Sequence, residues 1–153
     1  MALFFEEFVL GSRMETPART VTEADVVLFA GLSGDYNPIH TDAAFAAKTP
    51  FGERIAHGAL GLALVTGLSG RTGVLDGTAL AFLGIDEWKF HLPIRIGDTV
   101  LVRWTVAELR EISRKDAGVL RRRMELVNQK EEVVQSGIFS TMVRRRAAGG
   151  GKP

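Results

Sequence analysis

The chain has 153 residues, 46% of them apolar, and balances 19 Lys plus Arg against 18 Asp plus Glu for a net charge of +1. That length suits one domain with a real core, and the even charge gives no case for nucleic acid or an anionic membrane surface. The absence of cysteine excludes disulfides, thiolate nucleophiles and cysteine-ligated metals.

Residues 1–10 hold Glu6 and Glu7 inside an apolar run and carry no basic region, which reads against a secretory signal. The longest apolar run, 59–68, is shorter than the roughly 20 residues a bilayer demands. A cytoplasmic protein without a membrane partner is the expectation. Phe4, Phe5 and Phe8 predict the start of a strand. Thr22-x-x-Asp25 matches a capping box, with an acid where the helix dipole favours it. Val26, Phe29, Ala30 and Ser33 continue that helix, and Gly34 ends it. A turn over 35–40 follows, then a short helix over 42–48, stopped by Thr49-Pro50.

The stretch 55–68 is apolar almost all round, which predicts a helix buried on every side. Its Gly58, Gly61 and Gly67 each cost ~1 kcal/mol against alanine, so close approach of another backbone is expected there. Beyond Leu80 the period changes to two. Trp88, Phe90 and Leu92 alternate with Glu87, Lys89 and His91 as a half-buried strand. Val100, Val102, Trp104 and Val106 share one face of the next strand, and 119–127 and 133–143 form two more, joined through Asn128-Gln129-Lys130. The Gly-rich tail 147–153 reads as disordered. Helices first, one buried helix, then consecutive long strands predict an α+β domain over 1–146, an antiparallel sheet curled around a central helix. Its free edge and apolar face predict a homodimer.

The segment Leu32-Ser33-Gly34-Asp35-Tyr36-Asn37-Pro38-Ile39-His40 concentrates the candidate chemistry. Asp35 and His40 are side-chain types suited to moving protons on and off water. Pro38 lacks an N–H and biases Asn37 towards extended backbone, so the chain turns and can aim both groups at one point. Asp35 as a simple turn cap, with His40 as a surface residue, is the plain alternative. Ser33 and Asn37 add polar groups to the same loop. His57-Gly58 opens the apolar helix, and the Gly58 N–H is a free first-turn donor for a developing oxyanion. Thr66 either bonds back to the preceding turn or lines the pocket.

A metal site built on Asp35, His40, Asp42 and His57 matches no established spacing, and no nucleophile elbow surrounds Ser33, so neither is expected. The runs Arg121-Arg122-Arg123 and Arg144-Arg145-Arg146 read as solvated charge; if either binds anything, a small carrier's phosphates suit the net charge better than DNA.

These residues resemble a known family. The segment 32–40, with Phe51-Gly52-x-x-Ile55-Ala56-His57-Gly58, is similar to the hydratase 2 motif of MaoC-like dehydratases, the (R)-specific enoyl-CoA hydratases. Val21-Thr22-Glu23-x-Asp25-Val26 and Trp88-x-Phe90-x-x-Pro93-x-x-x-Gly97-Asp98 extend the resemblance from about Phe5 to Val143. It implies a hot-dog fold, a homodimer and reversible syn addition of water to a trans-2-enoyl thioester, giving the (R)-3-hydroxyacyl product. It implies that Asp35 and His40 hold one water between them. His40 then takes a proton from water, Asp35 delivers one to the α-carbon and Asn37 supports the pair. The Gly58 N–H binds the thioester oxygen, and Ser33, His57 and Thr66 line the substrate site. No cofactor is implied, because CoA or an acyl carrier protein comes with the substrate. A hot-dog thioesterase and a non-catalytic subunit of a dehydratase complex are the rival readings.

Overall fold

The computed structural model describes residues 1–146; the tail read as disordered, 147–153, lies outside the described residues. Two short strands, β1 (Arg13–Glu15) and β2 (Arg19–Thr20), lead into helix α1 (Glu23–Ser33). Single helical turns α2 (Pro38–Thr41) and α3 (Ala43–Ala46) follow, and then the central helix α4 (Gly58–Gly70). Four long strands complete the chain: β3 (Ala79–Phe90), β4 (Thr99–Glu111), β5 (Ala117–Val127) and β6 (Val133–Arg144). The sheet is antiparallel in the order β1-β4-β5-β6-β3, with β2 also on β4.

The core lies between α4 and the concave face of this sheet. Leu60, Leu64, Val65 and Leu68 of α4 meet Val100, Val102, Trp104 and Val106 of β4 and Leu120, Met124 and Leu126 of β5 in one buried cluster. Asn128 closes the β5–β6 connection: its side-chain oxygen accepts the Lys130 and Glu132 N–H groups.

Several local expectations change. Phe5–Glu7 forms a 3₁₀ turn and not a strand, because Glu7 caps the Phe4 N–H and draws the chain into a bend. The turn after Asn37 becomes helix α2, with Pro38 in its first turn, where a missing N–H costs nothing. The helix expected over 42–48 shrinks to Ala43–Ala46, with Asp42 as its N-cap. Helix α4 starts at Gly58, and it is not buried all round: Ala59, Ala63, Thr66 and Gly67 are exposed. One curled sheet covers one side of a helix, and among the described residues no second layer covers the other.

The interior glycines of α4 also divide. A Cβ on Gly61 would lie 2.2 Å from Gln135 Nε2 and 2.7 Å from Ile94 Cδ1, so side chains, not a backbone, occupy its space. Gly67 has nothing within 4 Å, and no packing reason accounts for it. On β3, Trp88 is half-buried as expected, but Phe90 at its end and Leu92 just beyond it are 61% and 41% exposed. The strand bulges between Asp86 and Lys89, with Glu87 at φ 53°, and then overhangs the start of α4 at the sheet's edge.

Candidate active site

Gly34, in left-handed conformation at φ 74°, ends α1 and turns the chain into the polar loop. Ser33 Oγ donates to the Phe29 carbonyl at 2.7 Å and accepts the Asp35 N–H at 3.2 Å. Asp35 Oδ1 accepts the Asn37 N–H at 3.1 Å, and Asn37 Oδ1 accepts the Ile39 N–H at 3.2 Å. Each side chain thus closes the next turn, which is the usual way Asx residues fold a loop before proline. Ser33 and Asn37 shape the loop that carries Asp35 and His40.

His40 sits on α2 with its Nδ1 2.7 Å from the Ile55 carbonyl oxygen. A carbonyl only accepts, so Nδ1 carries the hydrogen and the neutral ring keeps Nε2 as a bare acceptor. Ile55 is itself held in place: its N–H bonds the Ile39 carbonyl, and the Ala56 N–H bonds that of Ile94 at 2.8 Å. The His57 ring is buried and stacks under His40 at 3.9 Å between centroids, with Phe29 on its flank at 5.0 Å. His57 Nε2 donates to the Asp35 carbonyl at 2.9 Å, while its Nδ1 has no partner. His57 therefore supports the floor of the site and grips the Asp35 backbone.

Polar side-chain atoms of Asp35, His40 and His57 all lie within 4.8 Å of one another. Two imidazoles and a carboxylate are a familiar metal set. Here the two ring planes are inclined by only 29° and stacked. Lone pairs lie in the ring planes, and planes so nearly parallel do not meet within the about 2 Å of a metal–nitrogen bond. The geometry suits a proton-transfer pair resting on a buried ring.

Gly58 stands at the first turn of α4, whose N-terminus no side chain caps, so first-turn N–H groups are free to receive an anion. Its carbonyl accepts Gln135 Nε2 at 3.0 Å, and Gln135 Oε1 accepts Trp88 Nε1 at 3.2 Å. A Cβ on Gly58 would meet Phe90 Cε1 at 2.9 Å, so the lack of a side chain lets the Phe90 ring close over the helix start. A cavity of about 290 Å³ opens here, lined by His40, Phe51, Ile55, Gly58, Phe90 and Gln135.

Gln135 is the residue the sequence reading missed. A long amide in phase with Phe139 and Val143, the apolar inward residues of the strand, was the available signal. Thr66 stands apart from this cluster. Its hydroxyl donates to the Ala63 carbonyl at 2.7 Å, and it lines a different cavity at the other end of α4.

The arginine runs also separate. Arg145 lies over the Phe5 ring and pairs with Glu6 and Glu111, while Arg146 lies over Phe4 and pairs with Glu7. Arg121 pairs with Asp86 and Glu108. Arg122 is not solvated charge: it is buried, only 4% exposed, because it sits at an inward position of β5.

Comparison with known proteins follows the same lines. The MaoC like domain family matches residues 7–128. The MaoC protein of Klebsiella aerogenes is 42% identical over 102 residues, covering 67% of this chain and 30% of that one. A 3-hydroxybutyryl-CoA dehydratase of Methylorubrum extorquens is 41% identical over 107 residues, covering 70% of this chain and 66% of that one. The chain thus aligns with less than two-thirds of the length of either relative. The solved MaoC-like dehydratase from Rhodospirillum rubrum superposes with a TM-score of 0.86 at 30% identity, over 96% of this chain and 100% of that one. A Mycobacterium tuberculosis protein with a double hot-dog fold, 20% identical, superposes at 0.78 over 99% of this chain and 46% of that one, and shares the fold alone.

Proposed function

The chain belongs to the MaoC-like dehydratase family and has its hot-dog fold, and from that premise we propose that it is an (R)-specific enoyl-thioester hydratase, adding water reversibly to a trans-2-enoyl-CoA or its carrier-protein equivalent. The observation that carries this reading is the state of His40. Its Nδ1–H is committed to the Ile55 carbonyl, so its Nε2 is left as a base on a ring that has a nitrogen within 4.8 Å of a carboxylate oxygen of Asp35.

In this mechanism His40 Nε2 takes a proton from water as the water oxygen bonds the β-carbon. Charge moves through the alkene to the thioester oxygen, which the Gly58 N–H and the positive end of α4 receive. The Asp35 carboxyl group delivers a proton to the α-carbon from the same face. His40 has then gained a proton and Asp35 has lost one, and transfer between these neighbours restores the start. Asn37 and Ser33 hold the loop, and His57 holds the Asp35 carbonyl. No cofactor takes part beyond the CoA on the substrate.

The exposed small-residue side of α4 and the bare edge of β3, with Phe82 53% and Leu83 46% exposed, support a homodimer. An acyl-CoA substrate would place the reaction in the cytoplasm. Among the described residues no helix is long and apolar enough to cross a membrane.

The test is to mix purified protein with crotonyl-CoA, following the conjugated enoyl absorbance and free thiol together. Absorbance loss without thiol, giving the (R)-3-hydroxy product, is the expected result. Thiol release would replace this reading with thioester hydrolysis.

A further inference from the structure

Arg122 has no role in the chemistry above. It projects from β5 on the same face as Leu120, Met124 and Leu126, towards the interior. Its Nη2 reaches Thr141 Oγ1 only at 3.5 Å, and its guanidinium lies 5.2 Å from the centre of the Trp104 ring. Its Nε and Nη1 have no hydrogen-bond partner, and among the described residues no carboxylate pairs with it. A buried cation with only neutral neighbours is costly unless an anion joins it. Burial pushes its pKa down to about 10, so it remains charged at neutral pH.

Arg122 borders a cavity of about 590 Å³ between the C-terminal end of α4, the start of β3 and β6. Ser69 lines the same space, and its Oγ is buried beside it without a partner. Thr66 and Thr141 add hydroxyl groups, and Leu80, Phe82 and Phe139 add apolar wall. Asp76 borders the cavity too, yet makes no ion pair with Arg122. One unpaired cation, one unpaired hydroxyl and apolar walls match a singly charged acid better than a phosphate, whose second charge would find no counter-ion.

We propose that this cavity binds a carboxylate carried on a hydrocarbon stem, ion-paired to Arg122 and hydrogen-bonded by Ser69. Thr66 and Ser69, which line the cavity, lie eight and eleven residues along α4 from Gly58, about 12 and 16 Å at the helical rise. The carboxylate has two possible sources: the far end of an enoyl substrate's own chain, or a free short-chain acid. The first source rests on the hydratase reading and the second does not.

Two measurements on the wild-type protein decide this. One is calorimetric titration with butyrate, with butyramide as the neutral control. The other is the ratio of kcat/KM for two 2-enoyl-CoA substrates of equal length, one ending in a carboxylate and one in a methyl group. Saturable butyrate binding without butyramide binding identifies a free acid. A preference of at least tenfold for the carboxylate-ended chain identifies the substrate terminus. Either signal falls at least tenfold in Arg122→Met. No butyrate binding together with no preference overturns the site, even if both thioesters are hydrated. An undiminished signal in a folded Arg122→Met also overturns it. Butyrate binding lost in Arg122→Met, with neither thioester turned over, keeps the carboxylate site and removes the hydratase reading.

Discussion

His40 and Arg122 are both polar side chains brought against an apolar interior, and they differ in what they are given to bond. His40 has one nitrogen committed to the Ile55 carbonyl and one left free. His40→Gln and Asp35→Asn should each lower kcat/KM for crotonyl-CoA by at least about 10², with an unchanged circular dichroism spectrum. Near-normal turnover in either would remove the pair from the mechanism. Arg122 has a charge and no counter-charge. Replacing a buried ion by an apolar side chain of similar size is often neutral or stabilising. Arg122→Met should therefore melt at the same temperature as the parent or above it, where a core truncation would melt below. Gly61 is the opposite case. A Cβ there falls 2.2 Å from Gln135 Nε2 and 2.7 Å from Ile94 Cδ1. Gly61→Ala should cost about 1–3 kcal/mol through overpacking, read from the denaturant midpoint. It should also disturb the Gln135 contact to Gly58.

Among the elements, α1 shows how a helix start is fixed by its own sequence. Thr22 accepts the Asp25 N–H, Asp25 accepts the Thr22 N–H at 2.7 Å, and Arg19 pairs with Asp25 at 2.5 Å. Burial pushes the Asp25 carboxyl up, but bonds from the Thr22 backbone, Arg19 and the Thr22 hydroxyl outweigh it and hold its pKa below the ordinary value. A carboxyl lowered in the folded state contributes stability above its unfolded pKa and loses it as pH falls through the folded one. The contribution of Asp25 should therefore be complete near neutrality and fade below about pH 4. Asp25→Asn should flatten that part of the acid-unfolding profile, and an unchanged profile would show that the cap is not coupled to folding. Thr22→Ala should cost about 1 kcal/mol. Both motifs were legible in the sequence, because capping and loop closure by Asx residues act over two to four residues.

For the whole molecule, the sheet ends on one side at β3, whose outer edge no strand among the described residues covers. Phe82 and Leu83 stand exposed on that strand, and the uncovered side of α4 is made of small residues. Sedimentation velocity should report a dimer, and Leu83→Lys should shift it towards monomer with loss of turnover. A monomeric parent would remove the dimer from the proposal. The sequence by itself determined the α+β class, the capped first helix, the central helix and the order of the long strands. It also marked out the loop carrying Asp35 and His40, since period, caps and turn chemistry are short-range signals. It did not determine that Gln135 meets Gly58, that His57 lies beneath His40, or that Arg122 turns inward beside Arg121 and Arg123. Those contacts join residues 77 and 17 positions apart in the chain or depend on which face of a strand meets the helix. Only the closing of the sheet around α4 decides them.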